Sequence, residues 1–208
     1  MLELDFNQYA VVQDETPKAI AGLFPERRLT LVHGLQGSGK TYGVVKSLTN
    51  AGVKPIYVAL EGIDGIEKMD CDFVDKGFLD VLYDHRGSYA GLEGRVVIID
   101  TYTMLHETRI AENNDGSEAA IASRLKKMCE LHGITLIVIG HTAQNAGISN
   151  TFADNRYLPR NASEELFLNR IVVAKTKRVD GQAFEYELNV IKGRGTGGSR
   201  VINNWMRG

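Results

Sequence analysis

Short runs of apolar residues, each ended by glycine or a polar residue, recur along the chain: Leu29-Thr30-Leu31-Val32-His33, Pro55–Leu60, Arg95–Thr101 and Ile134–Gly140. They are rich in β-branched side chains and show no polar alternation. That pattern predicts strands buried on both faces, as in a parallel sheet. Between them the period changes. Thr41–Asn50 predicts a helix, and Ile121, Leu125, Met128 and Leu131 follow helical spacing in a second one. Asp115 or Ser117 can cap that second helix. Lys126, Lys127 and His132 suit its negative end, and Gly133 is a natural stop. Weaker signals predict an alternating edge strand at Leu2–Phe6 and a short helix at Pro17–Phe24. They also predict a helix and a loop over 62–77 and a short strand at Phe78–Tyr83.

The pattern changes after Thr142. Residues 142–165 hold several Asn, two Gly and Pro159 with little apolar periodicity, and read as a long flexible loop. A short helix near Ser163–Leu168 precedes two strands, Ile171–Lys177 and Phe184–Ile191. Val179-Asp180-Gly181-Gln182 joins them as a hairpin turn. A basic glycine-rich loop, Lys192–Arg200, leads to a last strand near Val201–Trp205. No internal repeat or low-complexity segment is visible. The order of elements predicts an α/β fold with a mostly parallel central sheet and a C-terminal antiparallel hairpin. Its 208 residues, 43% of them hydrophobic, suffice for one sizeable core, so residues 1–208 read as one domain. Residues 1–28 form an accessory segment ahead of the first buried strand.

The decisive chemistry lies between the first strand and the first helix. Gly34-Leu35-Gln36-Gly37-Ser38-Gly39-Lys40-Thr41 fits the phosphate-binding loop of Gly, four residues, Gly-Lys-Ser/Thr. The glycines let successive N–H groups converge on phosphate oxygens, at the positive end of the following helix. Lys40 would reach the β- and γ-phosphates, and Thr41 would offer its hydroxyl to Mg²⁺. A chance match in a chain this long is on the order of one in a hundred. Residues 34–41 are therefore read as a nucleotide site for ATP with Mg²⁺.

Two acids and one histidine end the other buried runs. Glu61 follows Pro55–Leu60; beside the phosphate-loop strand it would face the ligand crevice and could activate the water attacking the γ-phosphate. Asp100 ends the run beginning at Arg95, 60 residues after Lys40, where phosphate-loop enzymes keep a magnesium-fixing acid. His141 ends Ile134–Gly140 and could contact the γ-phosphate as a sensor of hydrolysis.

Charge narrows the partner. The net charge is −2, but from Arg156 onward there are ten Lys/Arg against five Asp/Glu, leaving 14 against 21 in the remainder. A basic C-terminal quarter on an acidic body points to an anionic polymer. Arg156 and Arg160 are its expected contacts, with help from Lys175, Lys177 and Arg178. Cys71 and Cys129 lack metal-ligand spacing and read as buried thiols of a reducing cytoplasm. No secretion signal and no membrane-spanning stretch is expected.

In this order the parts resemble the RecA-like ATPases, above all the plasmid RepA-type and DnaB-type hexameric helicases and the minimal phage RecA-like proteins of single-strand annealing and recombination. The resemblance covers about residues 28–205. It implies that Glu61 is the catalytic glutamate, Asp100 the magnesium acid and His141 the polar sensor. It also implies that Arg194, in Lys-x-Arg-x-Gly with Lys192, is a finger arginine reaching a neighbouring subunit. The implied activity is ATP hydrolysis coupled to single-stranded DNA in recombination, annealing or replication. The implied assembly is a homo-oligomeric ring, hexamers included, or a filament, with a single-strand binding protein as a further partner. The sequence offers no primase-binding segment and no separate DNA-binding domain, so ATP-dependent DNA binding is expected ahead of unwinding or strand exchange. Two other readings of the phosphate loop stay open: a small-molecule kinase, and a nucleotide-dependent assembly protein without DNA action.

Overall fold

All four apolar runs form strands. The computed structural model describes residues 18–34, 37–63, 65–83, 91–102, 104–105, 118–141, 169–179, 183–192 and 199–205; in the last three stretches only Leu188 and Val190 contribute side chains to the description. The elements are β1 (Ala19–Ile20), β2 (Phe24–Pro25), β3 (Leu29–Gly34), α1 (Lys40–Asn50), β4 (Ile56–Ala59), β5 (Asp72–Val74), α2 (Lys76–Tyr83) and β6 (Val96–Asp100). They continue with α3 (Glu118–His132), β7 (Thr135–His141), β8 (Asn169–Val179), β9 (Ala183–Lys192) and β10 (Ser199–Trp205). Eight strands make one sheet in the order β10-β9-β8-β3-β7-β6-β4-β5, and β1 pairs with β2 separately. Every pairing from β8 to β5 is parallel, whereas β8–β9 and β9–β10 are antiparallel. The expected parallel sheet with an antiparallel C-terminal hairpin is what forms.

Successive strand residues point to opposite faces, so each strand feeds two cores. On one face Leu29, Leu31, Val97, Ile99, Leu136 and Val138 pack with Leu79 and Leu82 of α2 and Ile121, Leu125 and Met128 of α3. On the other, Val32, Ile98, Ile137 and Ile139 pack with Val44, Val45 and Leu48 of α1 and with Leu23 and Phe24. Burial on both faces explains why the runs lack polar alternation. One expectation for α3 fails: Leu131 is 56% exposed. At 100° per residue it lies about 80° from Ile121, on the side away from buried Ala122 and Cys129. Gly133 ends this helix at φ 61°.

Three further expectations are corrected. Pro17–Phe24 contains no helix among its described residues. The chain reverses at Ala21-Gly22, both at positive φ, with the Gly22 N–H bonded to the Ala19 carbonyl (3.1 Å) and the Leu23 N–H to that of Ile20 (3.0 Å). The reversal buries Leu23 and Phe24, which outweighs a weak local preference. Phe78–Tyr83 belongs to a helix, not a strand. Asp75 caps it by accepting the Gly77 N–H at 2.9 Å, and buried Leu79 and Leu82 stand three apart as on a helix face. Within 62–77 the expected helix is instead a series of turns followed by β5. Finally, β4 is not beside β3, because β7 and β6 intervene. The strands expected at Leu2–Phe6 and the helix at 163–168 lie outside the described residues, as do the 142–165 loop and the hairpin turn 180–182.

Candidate nucleotide-binding site

The carboxyl ends of β3, β7, β6 and β4 lie side by side, which is where parallel sheets bind ligands. The registers align them: Gly34 pairs with His141, Asp100 with Ile139, and Ala59 with Asp100. Thus the residues just after each apolar run meet at one edge. Lys40, Thr41, Asp100, Glu61 and His141 are brought together there, although Asp100 and Lys40 are 60 residues apart.

Gly39 makes the turn from loop to helix possible. It sits at φ 81° as the N-cap of α1, a left-handed conformation that glycine adopts without a Cβ penalty. Gly37, at φ 72°, does the same one turn earlier. Lys40 then starts the helix, 4% exposed, with its Nζ donating to the Gly34 carbonyl at 3.1 Å. Burial lowers its pKa to about 8, against the opposing pull of the Asp100 and Glu61 charges. A buried cation spanning a loop of converging N–H groups is matched to an anion. Ser38 fits the same occupant, because its Oγ is buried with no hydrogen-bond partner among the described residues. Leu35 and Gln36 lie outside the described residues.

Asp100 is held from two sides. Thr41 Oγ1 donates to its Oδ2 at 2.5 Å, and the Tyr57 hydroxyl donates to the same oxygen at 2.6 Å. Burial pushes the Asp100 carboxyl above the usual carboxylate range, against both hydrogen bonds and the Lys40 charge. The Thr41–Asp100 pair offers hard oxygen donors, the set that suits Mg²⁺ held partly by protein and partly by phosphate. The Leu60 N–H bonds to the Asp100 carbonyl at 3.0 Å and ties the ends of β4 and β6 together. The Asp100–Thr101 peptide is cis.

Glu61 lies just past β4 and is more open. Thr101 Oγ1, fully buried, donates to Glu61 Oε1 at 2.7 Å. The other oxygen, Oε2, stands 3.8 Å from His141 Nε2, an ion-pair distance when the imidazole is protonated. The His141 Nδ1 is buried with no hydrogen-bond partner among the described residues. Neither Tyr57 nor Thr101 was expected at the site. Tyr57 reads as one more strand former inside Pro55–Leu60, and Thr101 as the residue that happens to follow Asp100; a hydroxyl adjoining a strand-terminal acid was the available signal.

The remaining predicted residues lie elsewhere. Lys175, Lys177 and Arg178 lie on β8, which pairs His33 with Val172 and then runs on past the end of β3. Lys192 is the last residue of β9, paired with Arg170 and so level with Leu31 of β3. Arg156, Arg160 and Arg194 fall outside the described residues.

No family model matches the chain, and no curated protein matches it in sequence. Solved structures match its fold. The ATPase domain of a DnaB-like helicase superposes with TM-score 0.58 at 13% identity, over 91% of this chain and 88% of that one. A DnaB-like replicative helicase, solved for its interactions with primase, gives TM-score 0.63 at 13% identity over 92% of this chain. This chain spans 62% of that helicase's length. The fold is therefore the RecA-like phosphate-loop fold of DnaB-type helicase ATPase domains.

Proposed function

We propose that the chain is a Mg²⁺-dependent ATP hydrolase that acts on single-stranded DNA as part of a homo-oligomeric ring or filament. The observation that carries the reading is the meeting of Lys40, Thr41, Asp100 and Glu61 at one sheet edge. Residues 34–41 hold the phosphates through backbone N–H groups and Lys40, whose charge the phosphates restore. Thr41 and Asp100 hold Mg²⁺, which when bound neutralises charge on the β- and γ-phosphates. Glu61 takes the proton of the attacking water, and Thr101 orients it for that task. His141 reports the change at the γ-phosphate toward β7. An open carboxylate held this way favours water over a bound acceptor, which weighs against the kinase reading.

Assembly follows from β9. Lys192 lies two strands from β3 and three residues short of its end, about 14 Å away in the plane of the sheet. That separation is too great for its side chain to reach its own phosphate loop, and it supports action by Lys192 and Arg194 on a neighbouring subunit. Mixing Lys40→Ala with Arg194→Ala protein tests this, since an intact phosphate loop can borrow a neighbour's arginine. Partial recovery of turnover is expected, and no recovery in demonstrably mixed oligomers refutes it.

The DNA contact is assigned to Arg156 and Arg160, aided by Lys175, Lys177 and Arg178, because β8 carries these last three beyond the sheet edge. Recombination, annealing and replication are the processes such an activity would serve, with a single-strand binding protein as companion. The direct test is ATPase rate with and without single-stranded DNA at two salt concentrations. Stimulation that fades with salt is expected, because phosphate contacts release counterions. Robust hydrolysis indifferent to DNA removes the DNA role, and no hydrolysis at all removes the reading.

A further inference from the structure

Tyr57 is placed like a core residue but wired like a site residue. It is 2% exposed, and its ring meets Phe73 edge-on with centroids 5.5 Å apart at 62°. For packing alone phenylalanine would serve, and it would bring no hydroxyl to desolvate. The Tyr57 hydroxyl instead donates to Asp100 Oδ2 at 2.6 Å. Thr41, on the phosphate side, donates to that same oxygen. Two donors from two different elements, β4 and α1, clamp one carboxylate oxygen. The carboxylate has few other ways to stay put, since it is itself buried and ends its strand.

We infer that Tyr57 is a positioning residue for the divalent cation: its hydroxyl holds Asp100 facing Thr41 and thereby sets how tightly the nucleotide-loaded site takes Mg²⁺. The inference rests on the proposed roles of Thr41 and Asp100. Hydrogen-bond partners behind a metal-holding carboxylate typically matter 10- to 100-fold in affinity. A tyrosine that only fills the core would leave cation affinity unchanged on losing its oxygen.

The test is Mn²⁺ binding, followed by electron paramagnetic resonance, to the full chain saturated with ADP. In Tyr57→Phe the Mn²⁺ half-saturation is expected to rise about 10- to 100-fold. ADP affinity in chelator should stay at the wild-type value. Phe73→Leu disturbs the same packing but keeps the hydroxyl, and is expected to retain wild-type Mn²⁺ affinity. An unchanged half-saturation in Tyr57→Phe, or an equal loss in Phe73→Leu, overturns the inference. Should Tyr57→Phe not fold, the wild-type protein labelled with ¹³Cζ-tyrosine decides. Adding Mg²⁺ to the ADP complex is expected to move the Tyr57 resonance, and a still resonance overturns the inference. A wild-type chain that binds neither ADP nor Mn²⁺ shows instead that the nucleotide reading has failed, and the inference falls with it.

Discussion

Asp100 and Glu61 stand at the ends of neighbouring strands, and the fold gives them opposite surroundings. Asp100 is 7% exposed and accepts two hydroxyl hydrogen bonds on one oxygen. The Glu61 side chain is 45% exposed and accepts one hydroxyl bond, from Thr101. The first cannot turn and sees little water; the second keeps an oxygen toward the crevice. A group that must present the same face to a cation in every cycle gains from being clamped. A group that must meet a fresh water each cycle needs an open side. The burial of Asp100 has a cost, since an ionised carboxylate there gives up solvation. That cost is compensated only when a cation arrives, so the site is less stable empty than loaded.

The comparison breaks most visibly at Glu61. Glu61→Gln keeps size and hydrogen bonding to Thr101 while removing the base, and turnover should fall about 10²- to 10⁴-fold; a steady-state ATPase assay near wild-type rate would make Glu61 structural. Lys40→Ala removes the cation that faces both acids. Its loss should reduce turnover about 10²- to 10³-fold with the far-ultraviolet circular dichroism unchanged. Because Lys40 has its pKa lowered to about 8, ATP binding near pH 8 should draw in a proton. Calorimetry in buffers of different ionisation enthalpy should detect that uptake in the wild type and not in Lys40→Arg.

Thr101→Val tests the weaker of the two tethers. One hydrogen bond to a charged group is worth roughly 1.5–3 kcal/mol, and about tenfold in kcat with KM unchanged is the expected loss. Thr101→Ser should restore the rate. Asp100→Asn has the smallest expected effect, and it is on stability. Burial raises the Asp100 pKa, so the folded chain holds this proton more tightly than the unfolded chain does. The stability it contributes is greatest in acid and is lost as pH rises from the unfolded pKa through the folded one. At pH 7 the amide, which still accepts from Thr41 and Tyr57, should therefore melt about 2–4 °C above wild type. That gap should close as the pH is lowered to 4. A lower melting temperature at pH 7 would mean that the two hydrogen bonds outweigh the burial cost.

The contrast between the acids also marks what the sequence could disclose. The buried strands were legible because burial on both faces leaves only apolar residues, and residues 34–41 were legible because phosphate binding imposes glycine and lysine at fixed steps. Glu61 and Asp100 were legible as strand-terminal acids. Their different treatment was not, because it depends on register: Ala59 pairs with Asp100, which seats Tyr57 and Thr101 where their hydroxyls reach the two carboxylates. Nothing in local spacing encodes that pairing. The same gap explains α2, where a short apolar run fits either period until Leu79 and Leu82 find a common core. It explains the strand order too, since β4 looks like the partner of β3 until β6 and β7 insert between them.

The division of labour between the acids is tested most directly by one titration. Binding of a non-hydrolysable ATP analogue is measured by calorimetry with and without Mg²⁺, on Glu61→Gln and Asp100→Asn side by side. The account predicts that Mg²⁺ tightens binding to Glu61→Gln as it does for wild type, and leaves binding to Asp100→Asn unchanged. A full Mg²⁺ response in Asp100→Asn, or its loss in Glu61→Gln, would contradict it.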